Sequence, residues 1–187
     1  MADLDFGVTS FLNSFTKGGA LASLFSCYLK IPNGMGNSQA IDDFKFKCKT
    51  ASFPASEVTA NEVSYMGRSI NIPGNRESQQ WTNEVYNDED HELRGFLLEW
   101  MDYLNGHESN KREPEFSTLL QYTGELKVFQ HAKTADDTTN TVTFKNAWPS
   151  SVGEITLDWE TNEIQTYEIT WEFSNWTQTV HEIGAVT

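Results

Sequence analysis

Carboxylates, thiols, imidazoles and indoles are the side chains of this chain that could do chemistry, and their spacing decides what each is for. Glu168 and Glu172 fall in the segment EIQTYEITWEFSNW (163–176). On a strand they share a face about 13 Å apart, farther than the carboxylate pairs that protonate and attack a glycosidic bond. Asp88, Glu89 and Asp90 would attract a cation, yet acids are also what the first turn of a helix favours. His91, His107, His131 and His181 are scattered over a predicted helix, loop, strand and tail, without zinc-ligand spacing. Cys27 and Cys48 each lie in a predicted strand and read as buried free thiols rather than a disulfide framework, with their pairing left open. Trp148, Trp159, Trp171 and Trp176 offer faces for stacking on sugars or bases, although Trp171 sits in an apolar strand row and reads as core. There is no GxSxG, no HExxH and no glycine-rich phosphate loop. The chain is therefore expected to be no enzyme and to hold no metal or cofactor.

Charge narrows the partners. With 27 acids against 13 Lys and Arg, the formal net charge is −14. A grip on nucleic-acid phosphate needs clustered cations, so this composition speaks against a DNA- or RNA-binding protein. The opening residues MADLDFGVTSFLNSF lack the basic start and apolar run of a signal peptide. No apolar stretch approaches the ~18 residues of a membrane span, so no membrane anchor is expected. At 187 residues the chain reads as one domain.

The strongest structural signal is the alternation in 163–176. Tyr167, Ile169, Trp171 and Phe173 point one way; Thr166, Glu168, Thr170, Glu172 and Ser174 point the other. From 146 to 187 there are seven acids and no Lys or Arg. A long strand with one dry and one anionic face suits a wall. Upstream, FGVTSFLNSF suggests a short amphipathic helix in an arm (1–20) ended by Gly18 and Gly19. Strands are predicted over 21–31, 42–52, 77–86, 120–131, 142–148 and 155–159. The second of these places Lys45, Lys47 and Lys49 on one face, opposite Phe44, Phe46 and Cys48. The segment EVSYMGRSINIPG reads as a projecting hairpin or paired extended arms around Met66 and Gly67; its Val63, Tyr65, Ile70 and Ile72 are too few to make a core and need a partner surface. Trp81, Asn83 and Val85 share a face in the following strand. One helix is predicted over 88–105, with Asn87 as N-cap, a stripe of Leu93, Phe96, Leu97, Trp100, Met101 and Leu104, and a close contact at Gly95. Pro149, Ser150 and Gly153 are expected to break the chain. The order favours a mainly β fold, an antiparallel two-sheet sandwich or barrel capped by one helix.

Three blocks carry a resemblance: FKFKCKTASFPASEV (44–58), VSYMGRSINIPGNRESQQWTNEVYNDEDHELRGFLLEWMDYL (63–104) and NAWPSSVGEITLDWETNEIQTYEITWEFSNW (146–176). They resemble the tail tube proteins of T4-like contractile-tailed bacteriophages, in order over roughly 21–176, with a tail at 177–187 outside the match. The resemblance implies a barrel-like subunit that forms hexameric rings. The rings would stack into a hollow tube inside a contractile sheath, a virion component assembled in the host cytoplasm and used for genome ejection. Its implied partners are other copies of itself, the sheath protein, baseplate and tail-terminator proteins, and a tape measure protein in the lumen, while double-stranded DNA passes through without specific binding. On this reading Thr166, Glu168, Thr170, Glu172 and Ser174 are candidates for the lumen wall. Val63, Tyr65, Met66, Arg68, Ile70 and Ile72 are candidates for contacts between subunits or rings, with the N-terminal arm beside them. Lys45, Lys47 and Lys49 are candidates for pairing with acids across such an interface. Two other readings stay open: the tube subunit of a type VI secretion or extracellular injection system, and a monomeric ligand-binding β-barrel.

Overall fold

The computed structural model describes residues 7–15, 18–32, 34–36, 38–77, 79–133 and 137–181, with the side chains of 38–40 left aside. Nine strands and four helices appear among them, in the order α1 (Val8–Ser14), β1 (Phe25–Lys30), α2 (Ser38–Lys47), β2 (Cys48–Thr50), β3 (Glu57–Tyr65), β4 (Arg68–Glu77), β5 (Trp81–Tyr86), α3 (Glu92–Leu104), α4 (Leu119–Tyr122), β6 (Gly124–His131), β7 (Thr138–Val152), β8 (Thr166–Glu172) and β9 (Asn175–Val180). A 3-10 turn at Pro114–Phe116 precedes α4.

One antiparallel path, β1-β6-β7-β8-β5-β2, makes the body, and β9 pairs β7 beside β8. The 15-residue β7 belongs to two sheets. Its first half pairs β6 on one side and β9 on the other, and its second half pairs β8. The change of partner falls at Asn146, which has φ +54°, and at Ser174, whose N–H donates to the Lys145 carbonyl. An extra residue at such a point bends and twists a strand, and here the bend turns one ribbon of sheet into two packed layers.

The core lies between the layers. Tyr167, Ile169, Trp171 and Phe173 are all buried, as the alternation requires. Trp171 is the hub: its ring meets Phe44 at 5.9 Å and Trp100 at 6.0 Å, both edge-on, and its Nε1–H donates to Asn83 Oδ1 at 2.8 Å. Trp81 and Phe144, with centroids 5.1 Å apart, fill the other end. Helix α3 lays Leu93, Phe96, Leu97 and Trp100 against β7 and α2. Trp81, Asn83 and Val85 are buried from β5.

The fold departs from sequence expectation at identifiable places. Residues 42–47 are helix, not strand: α2 buries Phe44 and exposes Phe46, so Lys45, Lys47 and Lys49 do not form one strand face. The helical signal was the Asp43–Lys47 pair at i, i+4 spacing, 2.7 Å apart. Helix α3 starts at Glu92 with His91 (φ +53°) as its N-cap, not at Asp88 with Asn87, and Gly95 has no close neighbour. Residues 119–122 are α4 rather than strand. Strand β7 runs through Pro149 and Ser150, with a register shift between Pro149 and Ser151, instead of stopping there. Residues 155–159 are a loop, exposed from 156 onward with Ile155 packed against the core, not a strand, and the final strand is divided into β8 and β9 at Phe173 and Ser174. Residues 177–180 continue β9. The predicted turn at 134–140 falls partly on 134–136, outside the described residues, as do 1–6 of the arm and 182–187 of the tail.

Trp171→Ala removes a fully buried ring and orphans Asn83; it is expected to cost about 3–5 kcal/mol in urea unfolding. Trp159→Ala, at a fully exposed loop position, should stay within ~0.5 kcal/mol of wild type in the same assay.

Candidate assembly surfaces

The β3–β4 hairpin stands apart from the body as its own two-stranded sheet. Met66 (φ +48°) and Gly67 (φ +76°) form a two-residue turn with both residues left-handed, the geometry that matches the twist of two antiparallel strands. The register pairs Tyr65 with Arg68, Val63 with Ile70 and Asn61 with Ile72. Since strand side chains alternate, Val63, Tyr65, Ile70 and Ile72 occupy one face. All four are exposed, and Met66 at the tip is 86% exposed. At the base, Thr59 Oγ1 donates to the Asn75 carbonyl at 3.0 Å, and a Cβ on Gly74 would sit 2.7 Å from that hydroxyl oxygen. Gly74 therefore lets the hairpin strands cross closely at their register shift.

A second apolar surface lies on α1. Val8, Phe11, Leu12 and Phe15 recur at three- and four-residue spacing and all are exposed, with Phe11 and Phe15 edge to face at 5.2 Å. The loop after β7 adds Leu157, Trp159 and Ile164, each largely exposed. Sequence reasoning missed this loop surface, because ITLDW mimics a strand; the turn residues Glu160, Thr161 and Asn162 were the available signal.

The outer face of the β8–β5 layer is polar and acidic. Thr166, Glu168 and Thr170 stand opposite Tyr86, Glu84 and Thr82, so two glutamates face each other across the strands. Like charges placed so repel, and Glu84 is relieved locally: Thr166 Oγ1 donates to it at 2.6 Å and Lys49 Nζ pairs with it at 2.9 Å. The Thr166 hydrogen bond first, then Lys49, hold the Glu84 carboxyl below its ordinary range. Glu172 accepts a hydrogen bond from Gln80 at 2.5 Å. Ser174 is exposed but lies beyond β8, in the kink to β9, so it leaves the row that sequence alternation gave it. The other layer carries the opposite sign outside: Lys30, Glu125 and Lys145 line up across β1, β6 and β7, and Lys127 pairs with Glu125 at 2.9 Å.

The three lysines separate. Lys45 lies over the Phe46 ring at 5.2 Å. Lys47 bridges Asp43 and Asp88, tying α2 to the approach to α3. Lys49 pairs with Glu84 within its own chain. The histidines stay dispersed: His131 contacts Ser26 at 2.8 Å, His181 contacts Thr141 and His91 contacts Asn87, both at 2.9 Å. Among the described residues no group of three His, Cys, Asp or Glu is placed to hold a metal ion, and no helix is long and apolar enough to cross a membrane.

A two-layer antiparallel sandwich with a helix on its core and a projecting hairpin recurs in chains of contractile injection machines. The chain matches 94% of its length to 99% of a chain in the extended sheath–tube complex of an extracellular contractile injection system, with a TM-score of 0.63 at 15% identity. A chain from the baseplate of the anti-feeding prophage gives a TM-score of 0.64 at 13% identity, over 87% of this chain and 97% of that one. The family described as "Phage tail tube protein" matches residues 20–179. Tail tube protein gp19 of Enterobacteria phage T4 is 36% identical over 137 residues, 72% of this chain and 81% of the relative; the T6 protein of the same name matches equally. The chain belongs to the phage tail tube protein family.

Lys47→Met is expected to lower stability by about 1 kcal/mol or less at pH 7, its partners being partly solvated. Desolvation pulls the Lys47 ammonium down, but hydrogen bonds to Asp43 and Asp88 outweigh it and hold its pKa above the ordinary value. Lys47 itself, through its hydrogen bond, depresses Asp88. The difference between wild type and variant should thus be largest between about pH 5 and 9. It should shrink as pH falls through the depressed Asp88 value, below ~3.9, and as pH rises through the raised Lys47 value, above ~10.4. Urea midpoints across pH check this.

Proposed function

We infer that this chain is the major tail tube subunit of a contractile-tailed phage, a structural protein of the virion tail. Copies close into six-membered rings, and the rings stack into a hollow tube inside a sheath through which the genome leaves. The observation that carries this reading is the apolar face of the β3–β4 hairpin: Val63, Tyr65, Ile70 and Ile72 stay exposed among the described residues. A soluble protein seldom leaves such a face to water unless another molecule covers it, and in a repeating assembly the natural cover is the next copy. Val63, Tyr65, Met66, Arg68, Ile70 and Ile72 then form subunit and ring contacts, with the α1 stripe joining them. Of the three lysines, Lys45, which has no ion pair among the described residues, contributes most directly, since Lys47 and Lys49 are paired within the chain.

The bore is assigned by charge. DNA sliding through a tube is repelled by an anionic wall and held by a cationic one. The β8–β5 layer presents Glu84, Glu168 and Glu172 with Thr166, Thr170 and Thr82 among them, whereas the β1–β6–β7 layer presents Lys30, Lys127 and Lys145. The β8 face is therefore the lumen side, and DNA and a tape measure protein pass along it without specific binding. Sheath, baseplate and terminator proteins are the outer and end partners. The work is assembly and passage rather than catalysis. Descent from the T4-like family favours the phage tube over a secretion-system tube, and a core filled by Trp81, Trp100 and Trp171 speaks against an interior ligand site.

An Ile70→Asp, Ile72→Asp double variant tests the reading. Both side chains are exposed in the isolated subunit, so its urea midpoint should stay close to wild type. Tubes seen by negative-stain microscopy for the wild-type chain should be absent or reduced at least tenfold in length. Long tubes from the variant would overturn the hairpin assignment.

A further inference from the structure

The tube reading leaves two surfaces without a use, the loop between β7 and β8 and a cleft past the far end of β8. The loop covers 153–165. Trp159 on it is fully exposed, with Leu157 and Ile164 largely exposed beside it. Glu154, Asp158, Glu160 and Glu163 fall in the same stretch, which has no Lys or Arg. The Glu160 N–H donates to Asp158 Oδ1 at 3.0 Å and holds that carboxylate beside the indole. An indole left in water gains nothing from burial in its own subunit, and tryptophan is among the residues most enriched where a few side chains carry a contact between proteins. The cleft, of about 350 Å³, lies where β1, β6 and β7 meet α4, and Lys30, Ile31, Leu120, Glu125 and Lys145 are among its lining. Leu120 and both lysines are exposed. Glu125 is engaged by Lys127, while neither Lys30 nor Lys145 has an ion pair among the described residues.

The topology sets the two at opposite ends of the subunit. The loop enters β8 at Thr166, opposite Tyr86. The cleft lies past the other end, Glu172, at Lys145, which pairs with Asn175 of β9. Strand β8 alone, Thr166–Glu172, puts about 20 Å between them. Gln80, between the hairpin and β5, donates to Glu172 at 2.5 Å, so the cleft shares its end of the subunit with the base of the hairpin. A loop at one end and a cleft at the other meet only between two copies, head to tail, in a contact that repeats from copy to copy. We propose that the 153–165 loop of one copy docks in this cleft of the next, with the Trp159 indole seated against Ile31 and Leu120 and with Asp158 and Glu160 facing Lys30 and Lys145. The proposal rests on the self-assembly reading above and gives the loop its partner, a second copy of this chain. Charge selects that partner: loop against loop sets acids on acids, cleft against cleft sets lysines on lysines, and only the head-to-tail pair brings opposite signs together. An ammonium over the indole face adds cation–π attraction at the same place.

Zero-length carbodiimide coupling of the assembled full chain joins a carboxylate to an ammonium in contact with it, and peptide mass spectrometry locates the join. Asp158 or Glu160 should couple to Lys30 or Lys145, and in a mixture of light and heavy-nitrogen chains the coupled peptides should be isotopically mixed. Trp159→Ala, and Asp158→Lys with Glu160→Lys, change exposed sites and should keep the wild-type urea midpoint. Lys30→Glu with Lys145→Glu should lower it slightly, through repulsion with Glu125 across the strands. Each of the three should shorten assemblies at least tenfold in negative-stain images. Combining the two charge reversals, which leaves the net charge at −14, should restore length. Wild-type tubes without these couplings, or a four-site variant no longer than either reversal alone, would overturn the proposal and leave the tube reading standing. Couplings found in head-to-tail filaments without a bore would sustain the contact and sink the tube. A wild type that stays monomeric would overturn both.

Discussion

The change of partner in β7 is the constraint on which the remainder rests. A flat seven-stranded sheet would leave both faces of β8 in water and expose Tyr167, Ile169 and Trp171. At Asn146 and Ser174 the ladder shifts, β9 leaves β8, and the two halves of β7 fold into facing layers. Only then do Trp81, Trp100, Phe144 and Trp171 share one dry interior. Burial of large aromatic rings dominates the energetics of such a core, and the buried indole N–H groups of Trp81, Trp100 and Trp171 are each satisfied, by the Ser52 carbonyl, the Tyr122 carbonyl and Asn83. The same bend decides which sides face outward, and so it separates an acidic outer face on one layer from a lysine-bearing outer face on the other.

That separation connects the fold to its use. A protein of net charge −14 does not need lysines gathered on one layer for solubility. On the proposed reading, their position opposite the Glu168 and Glu172 row gives the subunit an electrical inside and outside. On the same reading the apolar hairpin and the α1 stripe are the directions in which neighbours bind. On the proposed reading both surfaces gain stabilisation on association, where apolar area leaves water.

Much of this was legible in sequence, and the failures have physical causes. The period of two in 166–173 was unambiguous because four large apolar residues alternate with threonines and glutamates, and the hairpin announced itself through the Met66-Gly67 turn. Residues 44–48 misled because Phe44, Phe46 and Cys48 alternate like a strand, while the helix there is fixed by tertiary packing of Phe44 on Trp171 and by the Asp43–Lys47 pair. Tertiary context overrides local pattern in short segments. Pro149 looked like a break, yet it sits at a register shift, an irregularity of the kind at which a strand accommodates proline. Of the candidate residues, the hairpin set and the β8 row stayed together. Ser174 left its row at the kink, and the lysines dispersed because one lay on a strand and two on a helix. The Leu157, Trp159 and Ile164 loop was hidden because Ile155, Leu157 and Trp159 alternate like a strand.

The most direct measurement is a cryo-electron microscopy reconstruction of whatever the purified full chain assembles into. The account predicts hollow tubes of stacked six-membered rings, with the β3–β4 hairpin seated on a neighbour and Glu168 and Glu172 facing the bore. Compact monomers without a through-channel, or a bore lined by Lys30, Lys127 and Lys145, would contradict it.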